Sequence, residues 1–258
     1  MMSFLSVVML GFFLGMRHAT DPDHVIAVTT IVSRHRTMTG AGLIGAAWGV
    51  GHTLTIVAVG GAIILLGWAI PPRVELSMEF AVGVMLVVLG VVNLRGFRQW
   101  RAAARAARNP EHIHTHAHRH GDYVHTHPHA PEAHPHRPDA TPLARLDRRL
   151  GGVAVYQLAR PMVIGVVHGL AGSAAATLLV LAIISDPTWA LAYLAVFGAG
   201  TIAGMMLITA ALAAPFAWAG SRADHLQGTL RAGAGVLSIA FGLFLAYQIG
   251  FVDGLFVR

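Results

Sequence analysis

Residues 17 to 24 read Arg-His-Ala-Thr-Asp-Pro-Asp-His, placing two imidazoles, two carboxylates and a guanidinium inside an otherwise apolar stretch. On membrane-insertion scales Arg17, Asp21 and Asp23 each cost roughly 2.5–3.5 kcal/mol at a helix centre, whereas a Leu or Ile contributes only about 0.3–0.6. Such a segment does not face lipid. It lines a polar interior, where ionisable residues are functional candidates. Imidazole with carboxylate is a metal-ligand set. The chain has no Cys, so soft Cu(I) is disfavoured; an all-oxygen Mg2+ or Ca2+ site has no need of two His, which leaves Ni2+, Co2+, Zn2+ or Mn2+. In a regular helix His18, Asp21 and His24 share one arc of about 120°, and Asp23 points elsewhere. Pro22 makes regularity doubtful, because its ring clashes with the His18 carbonyl and it lacks a backbone donor. A break there is expected to free that carbonyl as a further ligand and to turn Asp23 inward.

Two more histidines, His52 and His168, lie in other apolar segments and are expected to complete the site from facing helices. A lone His in such a place is more often a hydrogen-bonded helix contact; the company of residues 17–24 argues for ligation. Arg17 also has a structural reading, a pair with Asp21 at i, i+4. A separate set of ten imidazoles comprises His112, His114, His116, His118, His120, His125, His127, His129, His134 and His136. Pro128, Pro131, Pro135 and Pro138 leave that stretch little scope for regular structure, and it reads as a buffer or sensor for borderline divalent metals.

The elements that must hold these groups follow from composition. With 55% hydrophobic and 12% charged residues and a mean hydropathy of +0.62, the chain is too apolar for a soluble domain and reads as an integral membrane protein. Six apolar segments, about 3–32, 40–70, 76–94, 155–184, 189–218 and 230–251, each reach roughly the 20 residues that a bilayer core requires. The first continues past residue 24 and is read as a retained span, not a cleaved signal peptide. All 18 basic residues are Arg, gathered in a few loops, which disfavours nucleic acid as a partner. Six crossings put Arg34, Arg36, the series Arg95 to Arg160, Arg222 and Arg231 on one side; by the positive-inside rule that side is cytoplasmic, with both termini outside. Arg95, Arg98, Arg101, Arg105 and Arg108 recur at helical spacing, as expected of a helix end on anionic headgroups.

The halves repeat. Gly15-x-x-His18 recurs as Gly165-x-x-His168, Trp48-Gly-x-Gly-His52 as Phe197-Gly-x-Gly-Thr201, and Gly83 with Gly90 as Gly235 with Gly242. Three spans per copy force the second copy to enter the membrane inverted, a plan of secondary transporters with a site at the midplane. The expected fold class is therefore all-α: a polytopic membrane protein of about six transmembrane helices in two inverted three-helix repeats. Residues 1–99 form the first repeat, 100–154 a disordered His-rich cytoplasmic loop, and 155–258 the second repeat.

The stretch His18-x4-Asp23-His24 resembles the signature of the nickel/cobalt transporter family, with Pro22 where that signature usually has Ala. The likeness extends through Trp48-Gly-x-Gly-His52-Thr53, while the second half is more similar to short relatives described as urease accessory membrane proteins. The resemblance implies secondary transport of Ni2+ or Co2+ across the cytoplasmic membrane, with the motif residues in selectivity and transport. The expected metal ligands are His18, Asp21, Asp23, His24, His52 and His168. No resident cofactor and no enzymatic activity are expected. Uptake is the favoured direction; export by the same architecture, an intramembrane zinc hydrolase with Asp21 as base, and a membrane chaperone for urease or hydrogenase are the alternatives, and a cytoplasmic metallochaperone is a candidate partner. Imidazole ligates only when neutral, so binding is expected to weaken as pH falls through about 6.5.

Overall fold

The computed structural model describes residues 4–33, 37–67, 70–106, 114–120, 123–129, 154–171, 184, 186–222 and 224–257. Helix α1 spans Phe4–His18 and ends where the polar stretch begins. The Thr20 and Asp21 N–H groups donate to the Arg17 and His18 carbonyls, at 2.8 and 3.1 Å. Helix α2, Pro22–Val32, then starts with Pro at its first position, where a missing N–H removes nothing from the helix. The segment expected as one span is thus two helices joined at residues 19–21. The break does not free the His18 carbonyl, as had been expected, because a tight turn uses it as the acceptor for Asp21.

Helix α3, Met38–Leu66, is capped at its start by the Thr37 side chain. It stops at Gly67, whose φ of +64° lets its N–H reach the Ile63 carbonyl at 3.1 Å, a left-handed cap that favours Gly. Helix α4, Pro72–Ala106, runs past the expected end near Leu94 and across the expected boundary at residue 99. Helix α5 covers Ala154–Leu170 and α6 Pro187–Arg222. The Asp186 carboxylate accepts from the Thr188 and Trp189 N–H groups at 2.8 and 3.1 Å, which caps α6. Helix α7, Asp224–Tyr247, continues into a π-helical turn, Gln248–Val252.

Among the described residues four segments are long and apolar enough to cross a membrane: Met38–Leu66, Pro72–Arg98, Pro187–Trp218 and Gly228–Val252. Pro22–Val32 and Leu158–Leu170 are apolar but shorter. Leu43, Leu54, Leu65, Leu207 and Leu243 are all more than half exposed, which suits a hydrocarbon surround rather than water. This is a membrane protein.

Within the His-rich stretch, His114–His120 (β1) pairs antiparallel with Tyr123–His129 (β2), His116 opposite His127 and His118 opposite His125. The expectation of no regular structure is corrected there: alternation of His with other residues is also the period of a strand. His112, His134 and His136 lie outside the described residues.

Glycines set how the helices meet. In α1, Gly11 faces Tyr193 and Gly15 faces Phe197 and Thr201, while Gly204 faces Met16, so α1 runs parallel to α6. In α5, Gly165 faces Trp48 and His52, and Gly169 faces His52 and Thr55, so α5 runs parallel to α3. Helices α3 and α6 are antiparallel, Gly45 against Met205 and Thr209, Gly49 against Ile202. So are α4 and α7, with Gly83 on Gly242 and Gly90 on Gly235. Small residues let backbones approach where lipid supplies no hydrophobic drive between helices.

Polar residues tie the ends of α2, α4 and α7 together. The Arg231 Nε donates to Asn93 Oδ1 at 3.0 Å, the Asn93 amide donates to the Arg231 carbonyl at 3.0 Å, and the Ser33 hydroxyl donates to Asn93 Oδ1 at 3.4 Å. Asn93 is fully buried and Arg231 nearly so; Arg231, at the cytoplasmic end of the expected span 230–251, is a buried helix contact. Asn93→Ala takes the acceptor from a buried guanidinium and should lower stability by about 1–3 kcal/mol, read as an earlier thermal unfolding transition in detergent.

Candidate metal centre

The break between α1 and α2 is where the chemistry collects. His18 is the last residue of α1, Asp21 sits at the N-cap of α2, and Asp23 and His24 occupy its first turn. Asp21 makes no cap hydrogen bond to the helix. Its Oδ2 accepts from His18 Nδ1 at 2.7 Å. That bond orients the ring so that His18 Nε2 meets His52 Nε2, arriving from the middle of α3, at 3.0 Å. Asp23 turns inward as expected, its Oδ2 2.9 Å from His168 Nε2 of α5 and its Oδ1 3.2 Å from His24 Nδ1.

His24 is the hub. Its ring centroid lies 4.3 Å from that of His168, 4.7 Å from His18 and 5.0 Å from His52. His24 is 2% exposed and His52 and His168 1% each. Among the described residues the buried His24 Nε2, His52 Nδ1 and His168 Nδ1 atoms have no hydrogen-bond partner. Trp48 closes the site from behind, stacking at 5.7 Å on His24 and meeting His168 edge-on at 5.4 Å. Buried imidazole nitrogens left without partners are costly, and imidazole nitrogen is a ligand for borderline divalent metals.

Two groups of three have ligand atoms within 4.8 Å of one another among the described residues: His18, His24 and His52, and Asp23, His24 and His168. The structure thus brings together five of the six expected ligands. Asp21 belongs to neither group; it positions His18. Arg17 is exposed and not paired with Asp21. Asp21→Asn should weaken nickel binding by about tenfold, the usual scale for loss of a group that orients a metal-ligating His, measurable by equilibrium dialysis of the purified protein.

A cavity of about 330 Å3 adjoins the cluster, lined on its polar side by His18, Asp21, Asp23, His24, His168 and Glu79. Its apolar wall comes from Val82 of α4 and from Phe241 and Leu245 of α7. Sequence reasoning left Glu79 without a role at the end of its span. Its placement on the wall depends on how α4 packs against α2 and α7, for which no local spacing is a signal.

Comparison with known proteins agrees with this chemistry. A family described as high-affinity nickel-transport protein matches residues 4–219. A urease accessory protein, UreH of Bacillus sp. (strain TB-90), is 32% identical over 253 residues, covering 98% of this chain and 95% of that protein. No solved structure matches.

Proposed function

The chain belongs to the high-affinity nickel-transport protein family, and from that premise we propose that it is a secondary transporter that takes up Ni2+, or Co2+, across the cytoplasmic membrane through the cluster around His24. The family and the urease accessory relative place it with transporters and accessory proteins, not enzymes. The observation that carries the reading is the convergence of His18, Asp23, His24, His52 and His168 at a helix break, with buried imidazole nitrogens that have no hydrogen-bond partner among the described residues. Imidazole with carboxylate and no thiolate suits borderline divalent metals such as Ni2+ and Co2+.

The transport architecture is that of two inverted repeats, residues 1–99 and 155–258, flanking the loop. Its support is an exchange of contacts. Gly15 of α1 packs on Phe197 and Thr201 of α6, and Gly165 of α5 packs on Trp48 and His52 of α3; these are the residues that correspond between the halves. Partners that swap in this way are what an in-plane two-fold produces. The arginine distribution puts the start of α4 and the end of α7 outside. A hydrated ion then reaches the cavity past Glu79 and exchanges waters for imidazole and carboxylate, while the Ser33–Asn93–Arg231 contacts hold the cytoplasmic end shut. Rocking of one repeat against the other opens that end. The loop histidines, from His112 to His136, receive the ion there and hand it to a cytoplasmic metallochaperone, a role consistent with the urease accessory relative.

Accumulation of radioactive nickel at trace concentration in cells expressing the chain tests the reading. Accumulation above empty cells is expected, and a chain lacking residues 111–138 should still accumulate, at an altered steady level. Accumulation below empty cells means export, and no difference in either direction sinks the assignment.

A further inference from the structure

Within the reading just given, we propose that the cluster is not one site but two alternating metal positions that share a single ligand, His24, and that the ion crosses the site by passing from one to the other. The first position is Asp23, His24 and His168; the second is His18, His24 and His52. This rests on nickel transport through the cluster and adds the path that the ion takes inside it.

Three observations lead there. The ligand atoms fall into two groups of three with His24 common to both. The His24 ring lies within 5.0 Å of each of the three other rings, whereas the His52 and His168 rings are 5.9 Å apart. His24 is therefore the group that one ion can keep while changing the rest of its shell. Finally, Asp23, His24 and His168 all line the cavity, as does His18, whereas His52 does not. The position with all three of its ligands on the cavity is the one that holds a carboxylate; the other holds three imidazoles, of which His52 alone lies away from the cavity.

The exchange balances simply. Leaving the first position, the ion gives up the Asp23 oxygen and the His168 nitrogen, keeps His24, and gains the nitrogens of His18 and His52; no proton or electron need change hands if each imidazole is neutral. On the proposed path the ion stays on one His24 nitrogen throughout, so the two positions are filled in turn. An anionic first position favours capture of a hydrated cation, and an all-nitrogen second position favours Ni2+ and Co2+ over the harder Mg2+ and Mn2+. Selectivity then lies in the transfer as well as in the capture.

The test uses purified full-length protein and Co2+, whose visible absorption reports its ligands, with His24→Ala as the baseline that subtracts metal bound to the loop histidines. His52→Ala should still bind one Co2+, with the spectrum of a mixed nitrogen and oxygen shell, and His168→Ala should bind one with a nitrogen-richer spectrum. Each single variant should stay within about tenfold of the wild-type affinity, whereas the double variant should lose more than about a hundredfold, a strongly non-additive result. Both single variants should bind metal yet fail to accumulate nickel in cells. His52→Gln and His168→Gln, which keep side-chain bulk, repeat the comparison should an Ala variant unfold. Indistinguishable spectra from the two single variants, or losses that simply add in the double, would mean one composite site and overturn the proposal. Absence of Co2+ and Ni2+ binding by the wild type above the His24→Ala baseline would instead overturn the underlying transport reading.

Discussion

His24→Ala is expected to bring nickel accumulation down to that of cells lacking the protein, while the variant still inserts in the membrane. The size of the effect follows from position. His24 belongs to both groups of three candidate ligands, so its loss takes a ligand from each. Loss of His24 also leaves the half-buried Asp23 carboxylate without one of its two imidazole partners. The fold is expected to tolerate the change better than the function does, because the cavity beside the site gives water a path to the space left behind. Radioactive nickel uptake with a parallel immunoblot of membranes decides it; wild-type accumulation by this variant would remove His24 from the transport path.

The second large effect is steric. Gly15→Ala and Gly165→Ala should each lower the yield of folded protein and abolish transport. A Cβ at Gly15 would overlap the Phe197 carbonyl oxygen, and one at Gly165 the Trp48 carbonyl oxygen. Backbone atoms cannot rotate out of the way as side chains do, so a whole helix must shift, at a cost of about 1–3 kcal/mol or more. That shift also moves His18 on α1 or His168 on α5, each three residues along from its glycine. Gly233→Ala is the contrast. A Cβ there meets nothing within 4 Å, and Ala exceeds Gly in helix propensity by roughly 1 kcal/mol, so stability should hold or rise slightly. Thermal unfolding in detergent with fluorescence-detected size exclusion separates the two cases; equal stability of all three variants would contradict the helix packing described above.

Much of the centre was legible along the chain because its signals are local. Charges in an apolar segment, the spacing of His18, Asp23 and His24, and a Pro that breaks the helix all act within a few residues, and the break with the inward turn of Asp23 followed from them. So did the glycine correspondence between the halves, which reappears as matched helix contacts. Reading the turn itself was less secure: covalent geometry dictates that Pro22 interrupts the helix, but the His18 carbonyl is taken up by Asp21, because a buried polar group finds the nearest partner. The hairpin at 114–129 was hidden because alternating polar residues carry no apolar face to mark a strand.

What the sequence by itself determined is the chemistry: which candidate ligands are present, that they lie in a membrane protein, and where the chain must break. What only the tertiary structure decided is who meets whom. His52 and His168 join the cluster through the parallel packing of α3 with α5, Asp21 is drawn off to hold His18, Glu79 reaches the cavity wall, and Arg231 is buried against Asn93. These pairings join residues far apart in the chain, and their distances depend on close approaches between helices at Gly15, Gly51, Gly165 and Gly90. Each approach is set by the shape of two surfaces at once, which one-dimensional spacing does not encode.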